Sequence, residues 1–252
     1  MDIIFIPIYH FYLTSRMIYK KYIFILLSFI LLSFILFISR VDNSITNEDK
    51  EYIKIFIGLE KKSPSLLSYT EQLELIKLIQ KSVLTVAAPN IGIEKRKTRE
   101  PKDLYLKKAG LCFDRSRVIE KILRYYGFKT RHISIYSTKE TGSILKSLVT
   151  PGIKSHALSE VKTSKGWLVI DSNEEWVALD NKNQPISISE IIKNKKNVTK
   201  RLLNDFPFSI YKENFFVIYG LYSRHGMYYP PFNIIPDINY SEFLYNLQFN
   251  LK

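Results

Sequence analysis

The sequence predicts an α+β domain preceded by a single membrane-spanning helix. Three observations lead there. Residues 22–39 are an uncharged apolar run. Residues 112–126 place apolar side chains at helical spacing. Residues 129–136, 156–162 and 167–172 read as strands, the last two joined by the turn signal Thr163-Ser164-Lys165-Gly166.

The apolar run, YIFILLSFILLSFILFIS, lacks Pro and Gly. Its 18 residues would span roughly 27 Å as a helix, close to a bilayer core of ~30 Å. Arg16, Lys20 and Lys21 precede it; Arg40 and Lys50 follow among acidic residues. The excess of cations on the N-terminal side places residues 1–21 in the cytoplasm and the remainder outside the cytoplasmic membrane. The exit, FISRVDNS, matches a signal-peptidase site poorly, so the run is expected to be an uncleaved signal anchor. Met17 opens a compact basic segment, MIYKKYIF, and is a second candidate start. The expected organisation is a cytoplasmic segment (1–21), an anchor (22–39), a stalk (40–64), a globular domain (65–204) and an aromatic, proline-rich cover (205–252).

The chain has 252 residues, of which 46% are hydrophobic, enough for a substantial core. Its net charge is +13. No zinc-finger spacing or RNA-binding aromatic motif accompanies that charge, so nucleic acid is not an expected partner. A solvated, membrane-proximal basic surface is the expectation. Cys112 is the only cysteine, which excludes an intrachain disulfide.

Along the chain, Leu73, Ile76, Ile79 and Val83 predict an amphipathic helix over 68–86, stopped by Pro89. Residues 94–109 read as a basic, proline-broken loop, and 137–154 as another. Val118, Ile119, Ile122, Leu123 and Tyr126 form the apolar face of the 112–126 helix. Arg117, Glu120, Lys121 and Arg124 fall on the opposite face, and Gly127 ends the helix. Short helices are expected at 187–194 and 197–204.

This arrangement puts Cys112 at a helix N-terminus, immediately after the Gly110 turn. Unpaired N–H groups there favour a thiolate and can donate to an oxyanion. Such a thiol needs a base, and the base needs a group that orients it. Of the four histidines, His156 opens a strand directly after a loop. Asp171 ends the next strand. A two-residue turn at 163–164 gives a pairing sum of 327 and sets His156 opposite Asp171; a four-residue loop at 163–166 gives 329 and makes them diagonal neighbours on one face; a three-residue loop would put them on opposite faces.

Gly-Leu-Cys112-Phe-Asp-Arg-Ser, Tyr126-Gly127-Phe128, Ser-His156-Ala-Leu-Ser-Glu-Val and Gly166-Trp167-Leu-Val-Ile-Asp171 together resemble the core of the transglutaminase-like superfamily. The resemblance covers residues 110–171. It implies a papain-like, transglutaminase-core fold in which the Cys helix packs on an antiparallel sheet. It also implies a Cys-His-Asp triad with Cys112 as nucleophile, His156 as base and Asp171 as orienter. No cofactor or metal is implied. Two positions depart from the pattern: Leu158 stands where an aromatic is usual, and Leu111 where animal transglutaminases carry Gln. The second favours a cysteine protease-like amide hydrolase over a crosslinking enzyme. The expected function is thiol-dependent acyl transfer on a protein or cell-envelope amide. The alternative is an inactive scaffold or binding module of the same fold. The second oxyanion donor is not identified by sequence, with Tyr105 a candidate, and no oligomeric state is implied.

Overall fold

The computed structural model describes residues 5–89, 91–94, 97–224 and 235–250. The chain forms two units, Met1–Arg40 and Val41–Lys252. The first is one helix, α1 (Phe5–Ile38). Its segment Tyr19–Ile38, 20 residues with exposed side chains, is the only helix among the described residues long and apolar enough to cross a membrane.

The second unit is α+β. It begins with α2 (Asn47–Ile57), α3 (Tyr69–Val86), α4 (Pro101–Lys107) and α5 (Cys112–Tyr126). Then follow β1 (Thr130–Ser137), α6 (Ile144–Val149), β2 (Ser155–Thr163) and β3 (Gly166–Ile170). The remainder holds α7 (Ile188–Lys193), α8 (Lys195–Arg201), β4 (Phe215–Tyr219), β5 (Leu221–Ser223), β6 (Asp237–Ile238), α9 (Tyr240–Phe243) and α10 (Tyr245–Asn250). An antiparallel sheet runs in the order β3-β2-β1-β4, and β5 and β6 form a separate pair.

Local sequence accounts for the helix ends. Ser68 and Glu71 cap α3 reciprocally: Ser68 N–H donates to Glu71 Oε2 at 2.7 Å, and Glu71 N–H donates to Ser68 Oγ at 3.3 Å. Gly127 ends α5 at φ +98°, a conformation strained for other residues. Gly110 is crowded instead: a Cβ there would lie 2.6 Å from Leu104 Cδ1, and that buried side chain would have to shift.

The sheet separates two cores. Ile76, Ile79, Ile119 and Leu123 pack with Val161, Leu168 and Ile170 on the helical side. Ile135, Leu158 and Val169 pack with Trp176, Ile188 and Tyr211 on the other.

Several segments differ from the sequence expectation, each through a long-range contact. Residues 94–109 are not wholly a loop: Pro101–Lys107 is helical, and Leu104 is fully buried. The 137–154 loop contains α6. In the stalk region, α2 sends Ile53 and Phe56 into the core. In the cover region, β4 pairs with β1. Tyr229-Pro230-Pro231-Phe232 and His225 lie outside the described residues.

The polar face expected on α5 is not a solvent face. Arg117, Glu120 and Lys121 are all buried. Lys121 Nζ bonds Asp49 Oδ2 at 2.7 Å and also pairs with Glu100. Arg117 Nη2 lies 3.1 Å from Glu100 Oε1. A buried charge is tolerated when it is paired. The partners Asp49 and Glu100 stand at the N-terminal ends of α2 and α4.

Candidate active site

Cys112 is the first residue of α5 and is half-buried. Asp114 fixes the helix entrance: its Oδ2 accepts Leu111 N–H at 2.9 Å and Ile93 N–H at 3.1 Å. Arg99 Nε lies 2.7 Å from the other oxygen of Asp114. The turn before the cysteine is therefore held by a buried carboxylate.

The β2–β3 ladder pairs Ser159 with Ile170 and Thr163 with Gly166. This is the register with sum 329, closed by a two-residue turn at Ser164-Lys165. His156 and Asp171 are diagonal neighbours on one face. His156 Nε2 lies 2.9 Å from Asp171 Oδ2. Both side chains are buried, and the Cys112 thiol is hydrogen-bonded to the His156 side chain. Cys112, His156 and Ala157 line a common cavity of about 260 Å³.

Electrostatics couples the three groups. Burial alone would depress the His156 pKa. The Asp171 carboxylate and the Cys112 thiol outweigh it and push the value up to about 10. Burial raises the Cys112 thiol, but the His156 ring and the Ala157 and Phe113 N–H groups bring it below its ordinary value. Burial likewise opposes ionisation of Asp171, and His156 and Tyr211 reverse that, holding the carboxyl low. The arrangement favours a thiolate–imidazolium pair over a neutral thiol and imidazole.

Residues far away in sequence hold Asp171. Tyr211 O–H donates to Oδ2 at 2.6 Å. Oδ1 accepts Asn173 N–H at 2.7 Å and Glu174 N–H at 3.0 Å. The Gln80 side-chain amide, reaching across from α3, faces the carbonyls of Asp171, Glu174 and Trp176 at 2.7–2.9 Å. Arg115 bonds Asn173 Oδ1, tying α5 to the same turn. No local motif marks Tyr211 or Gln80. Gln80 does fall on the apolar stripe of α3, four residues after Ile76.

Leu158 does not contribute to the cavity; it is fully buried in the second core. The aromatic surroundings of His156 come from Phe208 and Tyr211, edge-on with ring centroids 5.4 and 6.1 Å away. Tyr105 is not positioned as an oxyanion donor. It packs on Tyr52 and Phe56, away from the residues lining the cavity.

No family model and no curated protein matches the chain. Two solved structures are distantly similar. A candidate cysteine protease from Cytophaga hutchinsonii is 15% identical with a TM-score of 0.34, over 56% of this chain. The Rad4–Rad23 complex bound to a 6-4 photoproduct UV lesion is 14% identical with a TM-score of 0.31, over 72% of this chain. The chain spans 42% of the length of each.

Proposed function

We propose that the protein is a transglutaminase-like thiol enzyme that transfers or hydrolyses the acyl group of a peptide or other amide. Cys112 is the nucleophile, His156 the base and acid, and Asp171 the orienter. The observation that carries this reading is the 2.9 Å His156–Asp171 bond behind a helix-tip thiol that opens on a cavity.

The reaction follows from the protonation states. The Cys112 thiolate attacks the substrate carbonyl carbon, and charge develops on the carbonyl oxygen. The Cys112 N–H, at the first position of α5, is placed to donate to that oxygen. As the C–N bond breaks, His156 gives its proton to the departing nitrogen, leaving a thioester. Water or an amine, deprotonated by neutral His156, then attacks the thioester and regenerates the thiol. Asp171 keeps the ring oriented throughout, and Tyr211 keeps Asp171 in place.

The anchor reading accompanies this proposal. With residues 22–39 in the cytoplasmic membrane, the catalytic unit stands outside it, and its substrate is a protein or cell-envelope amide. An inactive module would be expected to fill the groove with its own side chains. The cavity at Cys112 favours the enzyme.

The test is alkylation of the single cysteine in the folded, full-length protein. Iodoacetamide is expected to label Cys112 faster than a free thiol at pH 6–7, and Cys112→Ala to abolish amide turnover while the circular dichroism stays native. Labelling no faster than a free thiol, with activity retained in the alanine variant, would overturn the reading.

A further inference from the structure

We infer that the substrate carries a carboxylate close to the scissile carbonyl and that Arg224 binds it. This deepens the proposed function and rests on it for the position of the reacting thiol.

Two arginines, Arg99 and Arg224, line the cavity that contains Cys112 and His156, and no Asp or Glu lines it among the described residues. The two cations differ. Arg99 is 3% exposed, and its Nε faces the Asp114 carboxylate at 2.7 Å. That charge is already matched and serves the helix entrance. Arg224 is half-buried. Its Nη1 donates to three carbonyl oxygens around the end of α6, those of Ser147, Leu148 and Thr150, at 3.1–3.4 Å. Its guanidinium lies over the Tyr136 ring, 5.0 Å from the centroid.

These contacts anchor one edge of the guanidinium and leave its charge without a carboxylate among the described residues. Carbonyl oxygens satisfy hydrogen bonds but carry no full negative charge. A planar guanidinium fixed along one edge and on one face is pre-organised to offer its remaining donors to a carboxylate. The rest of the lining suits such a substrate. Phe113, Tyr136 and Tyr222 give apolar surface for the chain, and Ser134 and Ser155 add small polar groups. A substrate with an Asp or Glu side chain beside the bond, or with a terminal carboxylate there, would meet a complementary charge at the thiol. A cationic substrate would be repelled.

The experiment uses the full chain in non-ionic detergent and reads Cys112 with reagents that differ only in charge. The rates of iodoacetate and iodoacetamide are expressed as a ratio, with the neutral reagent as the internal reference for thiol reactivity. The ratio is expected to fall about tenfold in Arg224→Gln and to recover largely in Arg224→Lys, as for loss and return of one partly exposed charge pair. An unchanged ratio in Arg224→Gln overturns the inference. A wild-type measurement removes dependence on the variant's folding: a tripeptide chloromethyl ketone with Asp next to the reactive group should inactivate the protein about tenfold faster than its Asn twin. Equal rates, or a faster Asn compound, overturn it. Slow labelling by iodoacetamide itself would instead count against the proposed function, and the charge ratio stays measurable on a slow thiol.

Discussion

Among the described residues, the unit holds two buried histidine–carboxylate pairs of nearly the same length. His156 Nε2 meets Asp171 at 2.9 Å, and His132 Nδ1 meets Glu120 at 2.8 Å. Each has a hydroxyl or thiol nearby, Cys112 in the first case and Ser116, 3.5 Å from His132, in the second. The α5 helix supplies Cys112, Ser116 and Glu120, spaced four residues apart on one stripe. Yet the two sites are chemically unlike. His156 borders a cavity, whereas His132 is fully buried and stacks on Tyr222 with centroids 4.0 Å apart. Ser116 is bound to Ser159 at 2.8 Å, and Glu120 also accepts from Ser159 and Tyr222. Ser116, Ser159, Tyr222, Glu120 and His132 Nδ1 bond one another inside the protein, and His132 Nε2 has no partner among the described residues; buried in this way, the network can hold α5 against the sheet but admit no substrate. A histidine–carboxylate bond orients an imidazole; access and an ionisable nucleophile determine whether the imidazole does chemistry.

The contrast can be tested from its strongest consequence downward. Cys112→Ala should lower amide turnover by on the order of 10⁴-fold or more with the fold intact, since the remaining groups only bind and polarise. Asp171→Asn should cost about 10²–10⁴ in kcat through misorientation of the ring. Glu120→Ala should behave oppositely. It leaves buried His132 without its carboxylate, although Arg124 keeps Glu242 at 2.6 Å, and should lower unfolding stability by ~3–5 kcal/mol, read by urea titration, while the pH dependence of Cys112 alkylation keeps its shape. If Glu120→Ala instead altered that shape and left stability alone, the division of labour would be wrong.

Tyr211→Phe removes one hydrogen bond to a charged carboxylate and is expected to cost about 1.5–3 kcal/mol, divided between stability and catalysis. A positioning role is distinguished by the acid limb of the Cys112 alkylation profile, which should move to higher pH as Asp171 holds the imidazolium less firmly. The smallest effect is the wild-type profile itself. Alkylation should stay nearly flat from about pH 6 to 8, where a free thiol of pKa about 8.5 loses reactivity as pH falls. The His156 pKa is raised, so the stabilisation from its charged form is complete below the unfolded value and is lost as pH rises through about 10. A profile parallel to that of a free thiol would place His156 with His132 as a structural residue.

The sequence by itself determined the parts whose causes are local. The β2–β3 register that puts His156 and Asp171 on one face stayed open to the length of the turn, but the apolar run of residues 22–39, the capped helix after Ser68 and the glycine stop at Gly127 all follow from neighbours a few residues apart. The position of Cys112 at a helix tip is of the same kind. Tertiary structure decided what depends on partners brought from afar. Arg117 and Lys121 look like a solvent face in sequence because Glu100 and Asp49, which neutralise them, reach α5 only after folding. Tyr211 meets Asp171 across 40 residues of chain, and Gln80 across 91. Periodicity reports which side of an element is apolar. It is silent on whether a charge or hydroxyl on the other side will face water or a buried partner, because that depends on which distant segment displaces the solvent.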